Sequence, residues 1–322
     1  MHSADLVTKL SRTGLMLGIA LTCPISAWAF DVTSDTTPYI SDPSFLPRQG
    51  EFYSETTYGY STREQNWQPN GGAINEHYSA DSNSYRQQIE YGITDRFSVG
   101  GYGSYADTTQ QYVYTFRPTS EIDTNQFNNP TFNATYRAID QIQSPVSVYV
   151  EALFTPGIVA NAPRSGGVDL YLNREIRIPT SQGQIGLTIQ GEIGTSYDDA
   201  YTNTDPLTGV SRDYTDEWGW FVAARNQVRF TPRWAVNSGI VYSKDLGNSI
   251  GLAGIGDSYV VAPSATVAPY VAVVFGIVPN RVNLAFEYDH EFIGDSARSG
   301  AVNGTWTDRS QSIYEVDLFL RF

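Results

Sequence analysis

Two segments of the sequence have residue types and a spacing that could carry out chemistry. Residues 247–251 read Gly-Asn-Ser-Ile-Gly, which matches the G-x-S-x-G motif of serine hydrolases. In those enzymes the serine of the motif is the nucleophile, and it sits between a strand and a helix. No helical period follows this glycine-rich stretch. Residues 195–216 are rich in aspartate, but they lack the D-x-[DN]-x-[DN]-G loop that binds Ca²⁺. We therefore predict no catalytic residue, no metal site, no cofactor and no enzyme activity.

The overall composition narrows the class of protein further. The chain has 322 residues and a net charge of −14, and its only lysines are Lys9 and Lys244. Because this strongly acidic balance with almost no lysine disfavours a phosphate-binding face, we expect no nucleic-acid partner. The chain has 22 tyrosines, and after residue 30 it has no apolar run of the roughly 18 residues that a membrane-spanning helix needs. This combination is typical of a transmembrane β-barrel, in which only alternate residues face lipid.

The first 29 residues predict a cleaved signal peptide. Lys9 and Arg12 precede a short apolar core at 14–22, and Ala27-Trp28-Ala29 forms an A-x-A cleavage site. A lipoprotein signal ending at Cys23 is the alternative, although the residues before Cys23 match that pattern poorly. Either way we expect export, and cleavage at the A-x-A site removes the single cysteine and with it any disulfide.

A period-2 alternation of apolar and polar residues recurs along the rest of the chain and predicts twelve strands. They lie near 51–60, 85–91, 97–105, 127–139, 145–155, 168–178, 184–194, 216–230, 234–243, 264–277, 282–293 and 314–322. Residues 50–322 are thus predicted to be all-β, a 12-stranded antiparallel up-and-down transmembrane β-barrel. Each strand is long enough to cross a bilayer at the usual tilt.

The connections between these strands alternate in length. Short turns are predicted at 93–96, 140–144, 179–183, 231–233 and 278–281, and longer polar segments at 61–82, 106–126, 156–167, 195–215, 244–258 and 294–309. This alternation is typical of short periplasmic turns and long external loops, so both termini should face the periplasm. Residues 30–49 form either a periplasmic tail or a segment that folds into the lumen.

Three segments resemble a known family. They are Ser41-Asp42-Pro43 before the barrel, Gly50-Glu51-Phe52 at the first strand, and Ile89 to Arg96, which reads IEYGITDR. The chain is similar here to the outer-membrane transporter family of the phenol meta-degradation pathway. The resemblance covers about the first third of the exported chain, and it implies transport of small, aromatic compounds without implying any catalytic residue. The last strand ends at Phe322, which resembles the C-terminal signature read by the barrel-assembly machinery.

The alternation also predicts which charged side chains line the pore. Six acidic positions fall on the first, eleventh and twelfth strands, which become neighbours in a closed barrel, and four arginines fall on the far side. The acidic positions are Glu55, Glu287, Asp289, Glu291, Glu315 and Asp317, and the arginines are Arg137, Arg177, Arg225 and Arg229. An acidic wall facing a basic wall would set up a transverse field across a water-filled passage. Arg174 falls on the lipid face, so we expect a bulge in its strand.

Two functions remain open at this point. The first is a porin-like channel in the outer membrane that passes small solutes passively, with a weak preference for cations. The second is a closed structural or surface-binding barrel whose external loops contact a partner, with the charged side chains paired as a polar plug. Twelve strands are intermediate between barrels filled by side chains and barrels with a clear channel.

Overall fold

The computed structural model describes residues 45–70, 72–116, 118–141, 144–159, 162–180, 183–204, 211–252, 258–300 and 302–322. The predicted signal peptide (1–29), the segment 30–44 and the Ser41-Asp42-Pro43 part of the family resemblance lie outside these residues. Within the described part of the chain, no helix is long and apolar enough to cross a bilayer.

The described residues form one sheet of eighteen strands. The strands are β1 (Phe52–Pro69), β2 (Glu76–Thr94), β3 (Phe97–Tyr114), β4 (Ser120–Phe127), β5 (Thr131–Ile139), β6 (Ser147–Thr155), β7 (Ser165–Thr180), β8 (Gly183–Asp198), β9 (Tyr201–Thr204), β10 (Ser211–Tyr214), β11 (Glu217–Arg229), β12 (Trp234–Asp245), β13 (Asn248–Leu252), β14 (Ser258–Val261), β15 (Ser264–Val278), β16 (Val282–Ile293), β17 (Ser296–Gly300) and β18 (Gly304–Arg321).

These strands make a closed wall of twelve. Six shorter strands continue longer ones across a break of two or three residues: β4 runs into β5, β8 into β9, β10 into β11, β12 into β13, β14 into β15, and β16 into β17. The sheet closes because β1 pairs antiparallel with β18, from Tyr53 opposite Arg321 to Pro69 opposite Gly304. The predicted 12-stranded antiparallel barrel is therefore confirmed.

The two faces of the wall are the reverse of those of a protein that folds in water. Outward side chains are apolar and exposed, among them Ile89 (52%) and Phe286 (55%). Inward side chains are polar and buried, among them Gln190 (2%), Gln227 (2%) and Asn283 (0%). Alternation along each strand produces this arrangement, because successive side chains point to opposite faces of a sheet.

The barrel has two distinct ends. At the end that we call the turn end, tight turns such as 95–96 and 279–281 join the strands, and the backbone of Phe52 pairs with that of Phe322. Asn280 adopts a φ of 59° in one of these turns, a conformation that asparagine tolerates better than most residues. The opposite end, which we call the loop end, carries β9, β10, β13, β14 and β17.

The strands reach much further towards the loop end than the alternation predicts. The prediction that 61–82 is a loop is wrong, because β1 extends to Pro69 and β2 begins at Glu76. The same correction applies to much of 106–126, 195–215, 244–258 and 294–309. At the start of β2 the outward residues His77, Ser79 and Asp81 are as polar as the inward residues. The sequence there has no alternation of apolar and polar residues that would predict a strand.

The predicted bulge at Arg174 is also wrong. Strands β7 and β8 pair from Ser165 opposite Asp198 to Thr180 opposite Gly183 without a register shift. Arg174 therefore lies on the outward face, near the turn end of β7. A long arginine side chain at such a position can extend along the wall to the polar boundary.

Candidate functional site

A cluster of carboxylates lines the lumen where β16, β18 and β1 meet, about a third of the way up from the turn end. Glu287, Asp289 and Glu315 each place a carboxylate oxygen within 4.8 Å of the other two. Asp317 is buried beside them, and the Thr57 hydroxyl donates a hydrogen bond to its Oδ1 at 2.7 Å. These side chains meet because their strands are neighbours and Glu287 is the register partner of Glu315.

The other two predicted acidic positions lie on the inward positions of the same strands. Glu55 accepts a hydrogen bond from the Tyr53 hydroxyl and forms an ion pair with Arg86, both at 2.7 Å. Glu291 lies further towards the loop end, after Asp289 on β16. The alternation therefore brings five of the six predicted carboxylates to one level of the lumen.

The predicted arginines do not form a basic wall, because each of them forms an ion pair with a nearby carboxylate. Arg225 pairs with Glu192 at 3.0 Å. Arg177 and Arg229 both pair with Glu175, at 3.4 and 3.3 Å. The fourth arginine, Arg137, pairs with Asp140 at 3.3 Å. The expected transverse field between an acidic and a basic wall is therefore corrected to a set of local ion pairs.

Further carboxylates line the lumen beyond β16, β18 and β1, from the neighbouring strand β2 round to the far wall, where the prediction placed positive charge. Glu151 on β6 accepts a hydrogen bond from Asn133 Nδ2 at 2.9 Å and another from the Tyr171 hydroxyl. Glu90 on β2 accepts from the same Asn133 amide at 3.2 Å. Asp169, directly opposite Glu151 in the register of β6 and β7, is only 4% exposed. Carboxylates thus follow the wall on both sides of the lumen, and we call this level the acidic waist.

The prediction missed several members of this waist and their partners. They are Arg86, Glu90, Glu151, Asp169, Glu175 and Glu192. Each occupies an inward position of its strand, so the period-2 alternation that identified Glu287 and Asp317 could also have identified them.

The N-terminal segment 45–51, which we call the tail, packs against the wall at the turn end of the barrel. Leu46 and Pro47 are buried, and the Phe45 ring lies 5.3 Å from the ring of the inward-facing Tyr53. The Gly50 amide donates to the carbonyl of Gly92 at 2.8 Å, and the Gly92 amide donates to the carbonyl of Glu51 at 3.0 Å.

Two further contacts hold the tail against the barrel. The Arg321 guanidinium donates two hydrogen bonds to the Glu51 carboxylate, at 3.1 and 2.5 Å. A small apolar cluster of Ala235, Val274 and Ala285 fills the same end of the lumen, and Phe319 packs against it. The turn end is therefore packed like a protein core, whereas the waist is polar.

Two pockets formed by the described residues lie towards the loop end of the lumen. The larger has a volume of about 650 Å³, and within the described residues its lining, which includes Tyr102, Gln126 and Thr155, carries no charged side chain. The smaller has a volume of about 240 Å³ and is lined on one side by Arg298 and Arg309. A solute that enters from this end meets the pockets before the acidic waist.

The two segments that first suggested chemistry are part of the wall. Ser249 of the G-x-S-x-G match lies on β13, and its backbone amide donates to Thr215 Oγ1 at 2.9 Å. This is a strand position and not a strand-to-helix turn. In the aspartate-rich stretch, Asp199 pairs with Arg164 at 2.7 Å and Asp213 accepts from Thr202 at 2.6 Å, while Asp205 lies outside the described residues.

Comparison with known proteins shows the fold. No family model and no curated protein matches the sequence. The COG4313 outer membrane channel from Pseudomonas putida F1 is similar in structure, with a TM-score of 0.52 at 13% identity over 88% of this chain and 98% of that one. The transport unit of the autotransporter AIDA-I from Escherichia coli has a TM-score of 0.52 at 8% identity over 96% and 97%. The fold is that of outer-membrane barrels.

Proposed function

We propose that this protein is an outer-membrane channel for small solutes with a preference for cations. The observation that carries the proposal is the pair of faces: an apolar, exposed outside around a lumen lined by carboxylates. In lipid every backbone polar group must be paired within the protein, and a closed barrel meets this requirement. The turn end then faces the periplasm and the loop end faces the medium.

The acidic waist supports the preference for cations. Among the described residues, its carboxylates outnumber its guanidiniums, since Arg86 and Arg225 at this level each pair with a single carboxylate. A ring of carboxylates in a narrow passage attracts cations and repels anions. We include in the pore lining all ten predicted positions, from Glu55 to Asp317, together with Glu90, Glu151 and Asp169.

The packing of the tail supports the proposal that the barrel also has a closed state. Leu46 and Pro47 are buried at the turn end, and the apolar cluster that contains Val274 lies at the same end. We propose that solutes reach the periplasm when the tail moves away from Gly92. A barrel whose tail never moves would instead be a structural or surface-binding protein, and its loop end would carry the function.

Two further parts of the proposal concern partners. The exposed C-terminal Phe322 (72%) ends a strand of the type that the barrel-assembly machinery reads. The family resemblance of Ile89 to Arg96 supports small aromatic compounds as the first solutes to test. The structurally similar Pseudomonas putida protein is an outer membrane channel, which supports a channel role in general.

The test removes three charges from the waist. Purified, refolded protein is placed in a planar bilayer with a salt gradient, and the reversal potential is compared with that of the variant Glu287→Gln/Asp289→Asn/Asp317→Asn. We expect the cation preference to fall markedly, because these carboxylates line the passage.

The matched control removes the same number of negative charges from the outer face of the barrel. Asp81, Asp107 and Asp123 are exposed positions on β2, β3 and β4 whose side chains point outward. Their replacement by asparagine should leave the reversal potential nearly unchanged. The proposal is wrong if both triple variants behave like the wild type, or if both shift the potential equally.

A further inference from the structure

The smaller pocket at the loop end contains buried hydrogen-bond donors that have no acceptor. Arg63 Nε, Arg298 Nε and Trp306 Nε1 are all buried without a partner, and all three residues line the pocket of about 240 Å³. Buried polar groups in native proteins are almost always paired with protein, water or an ion. These three nitrogens lie behind the surface of the cavity, so a molecule bound in it would contact the terminal nitrogens of Arg63 and Arg298.

The carboxylates that attract these side chains do so from a distance, Asp245 for Arg309 and Glu291 for Arg63. None of Arg63, Arg298 and Arg309 forms an ion pair with any carboxylate in the described part of the chain. Arg309 donates only to neutral oxygens, Gln65 Oε1 at 3.4 Å and Gly294 O at 2.8 Å. One side of the pocket therefore carries three guanidiniums that no carboxylate of the described residues contacts directly.

Aromatic rings hold one of these guanidiniums in place. The Arg298 Cζ lies 5.5 Å from the ring centre of Trp67, 5.2 Å from that of Tyr259 and 5.8 Å from that of Trp306. Such cation–π contacts restrict the orientation of an arginine without neutralising its charge. The positive side of the pocket is thus preorganised for an anion.

The other side of the same pocket is negative. Glu217 on β11 and Asp245 on β12 both line it. Glu217 accepts one hydrogen bond from Asn248 Nδ2 at 3.0 Å. Neither carboxylate reaches the arginines closely enough for an ion pair in the described structure, so the pocket separates two opposite charges across its width.

We infer that this pocket binds a small zwitterion, a molecule of the amino-acid class. Its carboxylate would contact Arg63, Arg298 and Arg309, and its ammonium group would face Glu217 and Asp245. The volume suits a molecule smaller than drug-sized ligands, which occupy pockets of roughly 300–1,000 Å³. Binding in this pocket does not depend on the proposed channel function. Only the later passage of the bound molecule through the lumen rests on that function.

The test compares ligands that differ only in charge. Binding of 4-aminobutanoate, butanoate and butylammonium to the purified full-length protein in detergent is measured by calorimetry, with alanine as a shorter zwitterion. We expect at least one zwitterion to bind more tightly than either singly charged compound. Equal binding of butanoate would overturn the zwitterion assignment, and the absence of binding by all four compounds would overturn the site.

Two variants locate the binding. Arg309→Gln should weaken zwitterion binding about tenfold or more, because it removes a charge-assisted hydrogen bond. Asp245→Asn should reduce the advantage of the zwitterion over butanoate. Arg96→Gln, an exposed arginine in a turn at the opposite end, is the matched control and should change nothing. Equal affinities in all three variants and the wild type would contradict the assignment.

Conductance in a planar bilayer separates this inference from the proposed function. A protein that conducts ions but binds no zwitterion contradicts the inference and leaves the channel intact. A protein that binds the zwitterion and never conducts contradicts the channel and leaves the site intact.

Discussion

The two ends of the lumen are built from different chemistry. At the loop end, polar and charged side chains surround pockets of about 650 and 240 Å³. At the turn end, Leu46, Pro47, Val274 and Ala285 are buried in close packing. The acidic waist lies between them. Under the proposed function, the loop end provides the groups that bind a solute, and the packed turn end obstructs its passage.

The largest effect on conductance should come from displacing the tail. In Gly92→Ala the added methyl group would overlap the backbone carbonyl of Arg48, so the tail must shift. We expect single-channel conductance to rise several-fold. Gly103→Ala is the matched control, since a methyl group at Gly103 would meet no atom within 4 Å. Equal conductance of the two variants would show that the tail does not close the lumen.

The second effect concerns the waist, and it tests whether both walls of the lumen act alike. Glu90→Gln/Glu151→Gln/Asp169→Asn removes three carboxylates from β2, β6 and β7, outside the strands that carry Glu287 and Asp317. We expect the cation preference to fall about as much as in the first triple variant, because the passage is lined by carboxylates on both sides. An unchanged reversal potential would show that these three carboxylates do not contribute to the preference for cations.

The third effect concerns the stability of the waist. Arg225→Met leaves the Glu192 carboxylate, whose side chain is 5% exposed, without its partner at 3.0 Å. We expect unfolding in urea to become easier by about 1–3 kcal/mol, after discounting for the partial exposure of Arg225. The double variant Arg225→Met/Glu192→Gln should recover part of the loss. Equal stabilities of the single and double variants would contradict a role for the pair.

The smallest effect is a pH dependence at the turn end. Burial alone would raise the pKa of Glu51, but the hydrogen bonds and charge of Arg321, together with the Arg48 amide, lower it overall. A lowered pKa means that the contact stabilises the tail at neutral pH and is lost as the pH falls through the folded pKa.

Limited proteolysis of the tail measures this loss. Cleavage should increase below the ordinary titration range of glutamate, and it should be fast at neutral pH in Glu51→Gln. Cleavage of the wild type that does not depend on pH between neutral and strongly acidic conditions would rule out control by this contact.

The sequence was sufficient to predict the wall of the barrel and one side of the waist. The bounds predicted for 282–293 coincide with β16, because its outward residues are apolar and its inward residues Glu287, Asp289 and Glu291 are charged. A strict period of two identifies both the strand and the face of every side chain. The same signal fails at 61–82, where both faces of the strands are polar.

Pairings between strands could not be predicted in the same way. The Arg225–Glu192 pair depends on the register of β11 against β8, in which Arg225 lies opposite Gln190. Alternation identifies the face of a residue but not its height in the barrel, which depends on the stagger of all the strands. The tail could not be placed either, because Leu46 and Pro47 carry no periodic signal.

The central claim is that cations pass through an acid-lined lumen. The most direct measurement is the reversal potential of the purified wild-type protein and of Gly92→Ala in a planar bilayer under a KCl gradient. The account predicts a potential on the cation-selective side for both proteins, with a larger conductance for the variant. An anion-selective potential, or a folded Gly92→Ala barrel that carries no current, would contradict it.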